Sequence, residues 1–164
     1  MMRLKSSLVF LAALPLFFSC DKKQVFDEYR SISGGTWNKD SIVGFDVDMA
    51  DTVSRYNLFV NVRNNNSYPY NNLYLIVEML QPGTNLAKVD TLQYQMANPD
   101  GTLMGDGFSN IKENKLWYKE GVTFPKAGKY RFNIQQAVRQ SGKIGGVQQL
   151  DGITDIGFRI ETAQ

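Results

Sequence analysis

The chain has 164 residues, 18 basic against 16 acidic, with no His and a single Cys. That length supports one domain with a core of its own, and 21% charged with 43% hydrophobic residues is a globular mix rather than a disordered one. Without His there is no Ser-His-Asp triad, no Cys-His pair and no imidazole-bound zinc. One Cys leaves neither an internal disulfide nor a cysteine cluster.

The N-terminus, MMRLKSSLVFLAALPLFFSC, reads as an export signal rather than part of the fold. Arg3 and Lys5 form a positive start, and Leu8 to Phe18 an apolar run of 11 residues, too short to span a bilayer as a helix. Ser19 followed by Cys20 is the cleavage pattern of a bacterial lipoprotein. Phe17 and Phe18 stand where the usual pattern prefers Leu at the third place before Cys and a small residue at the second. The reading predicts removal of residues 1–19 and a diacylglycerol on the Cys20 thiol. Acyl chains such as palmitate then anchor the protein, each buried methylene contributing about 0.8 kcal/mol. Loss of Arg3 and Lys5 leaves 16 basic and 16 acidic residues, a neutral mature domain. No basic stripe marks a nucleic-acid partner.

Residues 20–36 follow as the lipidated start and a polar tether holding Ser31, Ser33, Gly34 and Gly35. At most one helical turn, Val25 to Tyr29, is expected in it. Residues 37–164 carry the folded domain, and their dominant period is two. Val43, Phe45 and Val47 alternate with polar or small residues. Leu58, Val60 and Val62 share one face, with Asn57, Asn61 and Arg63 on the other. NLYLIVEML, residues 72–80, is nearly continuous apolar and predicts a strand covered on both sides. Leu92, Tyr94 and Met96 form a further face. Tyr130, Phe132 and Ile134, and then Ile156, Phe158 and Ile160, alternate strictly with polar or small neighbours. Between these runs lie NNNS, YPYNN, QPGTN, NPDG and FPKAGKY, all turn chemistry. The fold class is therefore all-β: a single antiparallel β-sandwich, jelly-roll or immunoglobulin-like. The one long irregular stretch, Ala97 to Asn114, has Gly101, Gly105 and Gly107 interleaved with Leu103, Met104 and Phe108. Long loops of this kind are often functional.

Three constellations could carry chemistry. Asp46, Asp48 and Asp51, or Asp100 and Asp106, offer oxygen ligands for calcium, but neither stretch has EF-hand spacing, and no metal site is expected. Glu78, Glu113 and Glu120 could supply the paired carboxylates of a glycosidase, yet spacing selects no pair, and the chain reads as no enzyme and as needing no cofactor. Trp37, Trp117, Tyr68, Tyr70 and Tyr118 could stack on sugar rings. That pattern supports the alternative function, a surface or periplasmic carbohydrate-binding or adhesion module.

Longer motifs are more specific. NVRNNNSYPYNNLYLIVEM at 61–79, FSNIKENKLWYKEGVTFPKAGKYRFNIQQAVR at 108–139 and LDGITDIGFRIE at 150–161 closely resemble the gliding motility lipoprotein GldH family. So does the start CDKKQVFDEYRSI, and the resemblance runs from Cys20 to Glu161. It implies a non-catalytic envelope lipoprotein required for gliding, a surface motility linked to type IX secretion of adhesins. Its partners would be the membrane, through the lipid, and other envelope proteins of gliding and secretion. Only Cys20 carries over as a site residue. Surface-exposed lipoproteins of such bacteria tend to carry acidic residues just after the Cys. Here Lys22 and Lys23 stand there, so the expected place is the outer membrane, facing the periplasm. A docking role needs exposed patches, expected at the two ends of the sandwich. One is the Asn64 to Asn72 loop with Tyr68 and Tyr70; the other is the Ala97 to Asn114 loop with Leu103, Met104 and Phe108.

Overall fold

The computed structural model describes residues 21–164; the predicted export signal and Cys20 lie outside the described residues. Ten strands form: β1 (Gln24–Ser31), β2 (Thr36–Asn38), β3 (Val43–Met49), β4 (Tyr56–Asn64), β5 (Asn72–Leu80), β6 (Ala87–Gln95), β7 (Lys112–Val122), β8 (Gly128–Gln136), β9 (Gln149–Asp151) and β10 (Ile153–Thr162). One four-stranded sheet has the order β1-β10-β4-β7 and the other β3-β8-β5-β6, with β2 and β9 forming a small pair beside them. Neighbouring strands pair antiparallel throughout. The two large sheets pack face to face as the β-sandwich that the alternation predicts.

The alternating runs build the core. On β8, Tyr130, Phe132 and Ile134 point inward while Arg131 stays exposed. β10 contributes Ile156, Phe158 and Ile160, all fully buried. Phe158 sits between the sheets, its ring stacked 4.3 Å from Phe132 and 6.0 Å from Phe45. Burying each such side chain contributes about 1.5–3 kcal/mol.

Four expectations need correction. The predicted tether is mostly strand: residues 24–31 form β1, antiparallel to β10, with no helical turn at Val25 to Tyr29. Phe26 supplies the reason, because its ring meets both Phe45 and Phe158 at 6.4 Å. The sandwich therefore begins near residue 24 rather than 37. Strand β5 is covered on one face only. Leu73, Leu75, Val77 and Met79 are buried, whereas Tyr74, Ile76 and Glu78 are half-exposed on the outer surface. The irregular stretch also ends sooner than expected, since Lys112 to Asn114 open β7.

Both candidate docking loops lie at one end of the sandwich, not at opposite ends. Strands β4 and β5 turn through the Asn64 to Asn72 segment at the end where Asn64 pairs with Lys112, the first residue of β7. The Ala97 to Asn114 segment joins β6 to that same start of β7. The chain enters at the other end, where Gln24 pairs with Glu161 and Tyr56 with Val122.

Candidate functional site

At the entry end the first described residues are already stitched to the sandwich. The Lys23 N–H donates to the Asp21 carboxylate at 3.1 Å, and the Thr162 N–H donates to the Lys23 carbonyl at 2.9 Å. Arg159, only 13% exposed, donates to Asp21, to Asp27 at 2.5 Å and to Glu161 at 2.6 Å. Partial burial opposes the charge on Arg159, but its three carboxylates outweigh that and raise its pKa. Glu161 also accepts from Lys115 at 2.5 Å. Burial pushes its carboxyl up, and Lys115 and Arg159 more than reverse that.

A second network crosses the outer face of the same sheet. Glu113 accepts from the Tyr29 hydroxyl and from Arg63 Nε, both at 2.8 Å, while the Arg63 guanidinium lies 4.0 Å from the Tyr29 ring centre. Burial raises the Tyr29 pKa. Burial also pushes Glu113 up, yet its two donors hold it below the usual carboxylate range. These contacts tie β1 to β4 and β7, so the first strand is fixed on its outer face as well as by Phe26 inside.

The opposite end holds all five proposed contact residues, and they divide. Tyr68 is buried, its hydroxyl donating to the Asn72 carbonyl at 2.8 Å, and burial raises its pKa. Gly152 makes this close packing possible. At φ +84° it turns the chain between β9 and β10, and a Cβ there would sit 2.1 Å from the Tyr68 nitrogen. Tyr70 is half-buried, edge-on to Tyr68 at 6.0 Å. Leu103 packs against the core, and Met104 is half-buried, its N–H donating to Met96 at 2.9 Å. Only Phe108 stands fully in solvent. Ile144 is equally exposed at this end, in the SGKIGG segment, where one apolar residue among small and polar ones gave no sequence signal.

The other constellations separate. Trp37 is fully buried, its indole N–H donating to the Ser41 carbonyl at 2.9 Å, and Tyr118 is buried with its hydroxyl on Asp90 at 2.8 Å. With Tyr68 inside as well, the five aromatics form no shared platform. Trp117 alone is 56% exposed, beside Phe59 in a surface cleft of about 720 Å³ that Lys23, Arg55 and Lys115 also line. Glu113 and Glu120 are seven residues apart on β7, roughly 23 Å along a strand, and Glu78 lies in the other sheet, bonded to Asn133 at 2.7 Å. Asp46 pairs with Arg131 at 2.9 Å, while Asp51 and Asp100 accept from backbone N–H groups of their own turns. Among the described residues, no three acidic or cysteine side chains converge on a metal-sized site.

Among the described residues no helix is long and apolar enough to cross a membrane. The family described as GldH lipoprotein matches residues 24–160. The chain is 62% identical over 160 residues to the Gliding motility lipoprotein GldH of Flavobacterium johnsoniae, covering 98% of each chain. It is 51% identical over 156 residues to the Gliding motility lipoprotein GldH homolog of Christiangramia forsetii, covering 95% of this chain and 94% of that one. Among solved structures, the infectious bursal disease virus VP2 subviral particle is similar at 13% identity and a TM-score of 0.35. That match covers 85% of this chain and 30% of the viral one, and it carries no argument. On the family match and these two relatives, the chain belongs to the GldH lipoprotein family.

Proposed function

We propose that this protein is a non-catalytic part of the gliding motility machinery, linked to type IX secretion. In this reading a lipid on Cys20 holds it at the outer membrane, its domain in the periplasm and its far end turned to other envelope proteins. The observation that carries the proposal is the 62% identity to the Flavobacterium johnsoniae gliding motility lipoprotein over 98% of both chains. The exposed Phe108 and Ile144, at the end opposite the chain entry, support a docking role. Lys22 and Lys23 after Cys20 support the periplasmic side.

Expression of this chain in a Flavobacterium johnsoniae strain lacking its own GldH tests the function. Restored gliding and adhesin export are the expected result. A well-expressed, lipidated chain that restores neither would overturn the proposal. Protease added to intact cells tests the side: the protein survives if it faces the periplasm, and rapid loss would place it on the surface.

A further inference from the structure

We propose that the end of the sandwich where the chain enters docks directly on a phospholipid surface with anionic headgroups. The inference rests on the reading that Cys20 is lipidated, and it adds an orientation and a contact surface. The Cα of Cys20 lies about 3.8 Å from that of Asp21 by peptide geometry alone. Asp21 and Lys23 are already bonded into the sandwich, through Arg159 and Thr162. No flexible length remains between lipid and fold, so this end is held against the headgroups.

Three loops share that end. Residues 50–55 join β3 to β4, and residues 123–127 join β7 to β8, at the end marked by the pairs Met49–Gly128 and Tyr56–Val122. Residues 81–86 join β5 to β6 beyond the Leu80–Ala87 pair, and a Cβ on Gly128 would lie 3.0 Å from Pro82. Together with residues 21–23 they present four basic side chains: Lys22, Lys23, Arg55 and Lys126. Among the described residues none of these four is in an ion pair. The acids in these segments are Asp21 and Asp51. Asp21 is taken by Arg159, and Asp51 accepts the Val53 and Ser54 N–H groups at 2.8 and 3.0 Å. The opposite end is balanced: its loops set Lys39, Arg139 and Lys143 against Asp40, Asp100 and Asp106.

Apolar tips stand among the cations. Val53 is 85% exposed in the 50–55 loop and Leu86 is 79% exposed in the 81–86 loop. Cations beside short apolar tips suit an interface in which phosphates meet the charges and the tips enter the headgroup boundary.

The full lipidated protein in vesicles tests the inference. With Cys20 occupied by lipid, the variants V53C, L86C, F108C and I144C each carry a single free thiol for a polarity-sensitive fluorophore. In vesicles of phosphatidylethanolamine and phosphatidylglycerol, labels at 53 and 86 should shift to the blue and be quenched by brominated acyl chains. Labels at 108 and 144 should do neither. Arg55→Gln and Lys126→Gln should each weaken the docked state about fivefold, as should phosphatidylcholine vesicles or high salt in larger measure. Equal exposure of all four labels, with diacylglycerol found on Cys20 by mass spectrometry, would overturn the docking and leave the anchor standing. A chain without that lipid would overturn the anchoring reading and this inference with it.

Discussion

The rings of Phe132 and Phe158 lie 4.3 Å apart with their planes 28° from parallel, one from each sheet of the sandwich. Both are fully buried, and Phe158 also touches Phe45, Phe26 and Tyr118. Removing either ring leaves a cavity that the rigid strands on both sides cannot close. Phe132→Ala or Phe158→Ala should each cost about 3–5 kcal/mol in urea denaturation. A loss under about 1 kcal/mol for both would mean the sheets do not pack through this pair.

The strand β1 leads to a second expectation. A tether would exchange its backbone amides at the rate of an unfolded chain. Pairing with β10 should protect alternate amides of residues 26–31 in hydrogen exchange. Phe26→Ser should lower that protection first in β1, leaving β5 and β8 unchanged. Exchange at unfolded rates across residues 26–31 in the unmodified protein would contradict the strand.

These two elements show what the sequence displays and what it hides. Strands such as β8 and β10 advertise themselves, because Tyr130, Phe132 and Ile134, or Ile156, Phe158 and Ile160, alternate with residues that face water or a neighbouring strand. β1 is an edge strand with one inward aromatic, and its pairing uses backbone groups that composition does not reveal. The Tyr29–Glu113 bond joins residues 84 apart, so no local pattern announces it. YPYNN reads as a surface turn, and Tyr68 is inside only because Gly152, far along the chain, lets another turn lie across it. Of the proposed contacts, Phe108 was legible as an apolar residue in a glycine-rich loop. Its exposure and the shared end with Ile144 come from the topology.

The pH profile of stability follows from groups at both extremes. Asp90, hydrogen-bonded by Lys119, is held below the ordinary carboxylate range, as are Glu113 and Glu161. A lowered folded pKa contributes stability above the unfolded value, and that contribution is lost as pH falls through the folded one. Burial raises the phenols of Tyr29 and Tyr118, and pushes Tyr94 up to about 12. A raised phenol contributes below its unfolded value near 10 and loses that contribution as pH rises towards 12. With no His in the chain, the melting temperature should be flat from about pH 5 to 9 and fall on both sides. A pronounced step between about pH 6 and 8 would contradict this account.

The proposed lipid site gives a direct test. Cys20→Ser removes the thiol that the diacylglycerol needs. The variant should keep residues 1–19, lose fatty-acid label and run as a heavier precursor. Equal labelling of the variant and the unmodified chain would show that the lipid, if present, sits elsewhere.

The last expectation separates docking from folding at the end away from the chain entry. Phe108 and Ile144 stand in solvent, whereas Leu103 packs against the core and Tyr68 is buried. Serine at an exposed position removes apolar surface without opening a cavity, so its effect on stability should stay within about 0.5 kcal/mol. The double variant with Phe108→Ser and Ile144→Ser should therefore keep the melting temperature of the unmodified protein. If these side chains meet a partner, the same variant should abolish gliding or adhesin export, since apolar anchors at an interface often contribute 2 kcal/mol or more each. Leu103→Ser and Tyr68→Ala serve as the contrast. They should lower the melting temperature and reduce function only through loss of folded protein. Full motility with the double variant at normal protein levels would remove this end from the docking surface. Unfolding by the double variant would mean the two side chains are part of the fold.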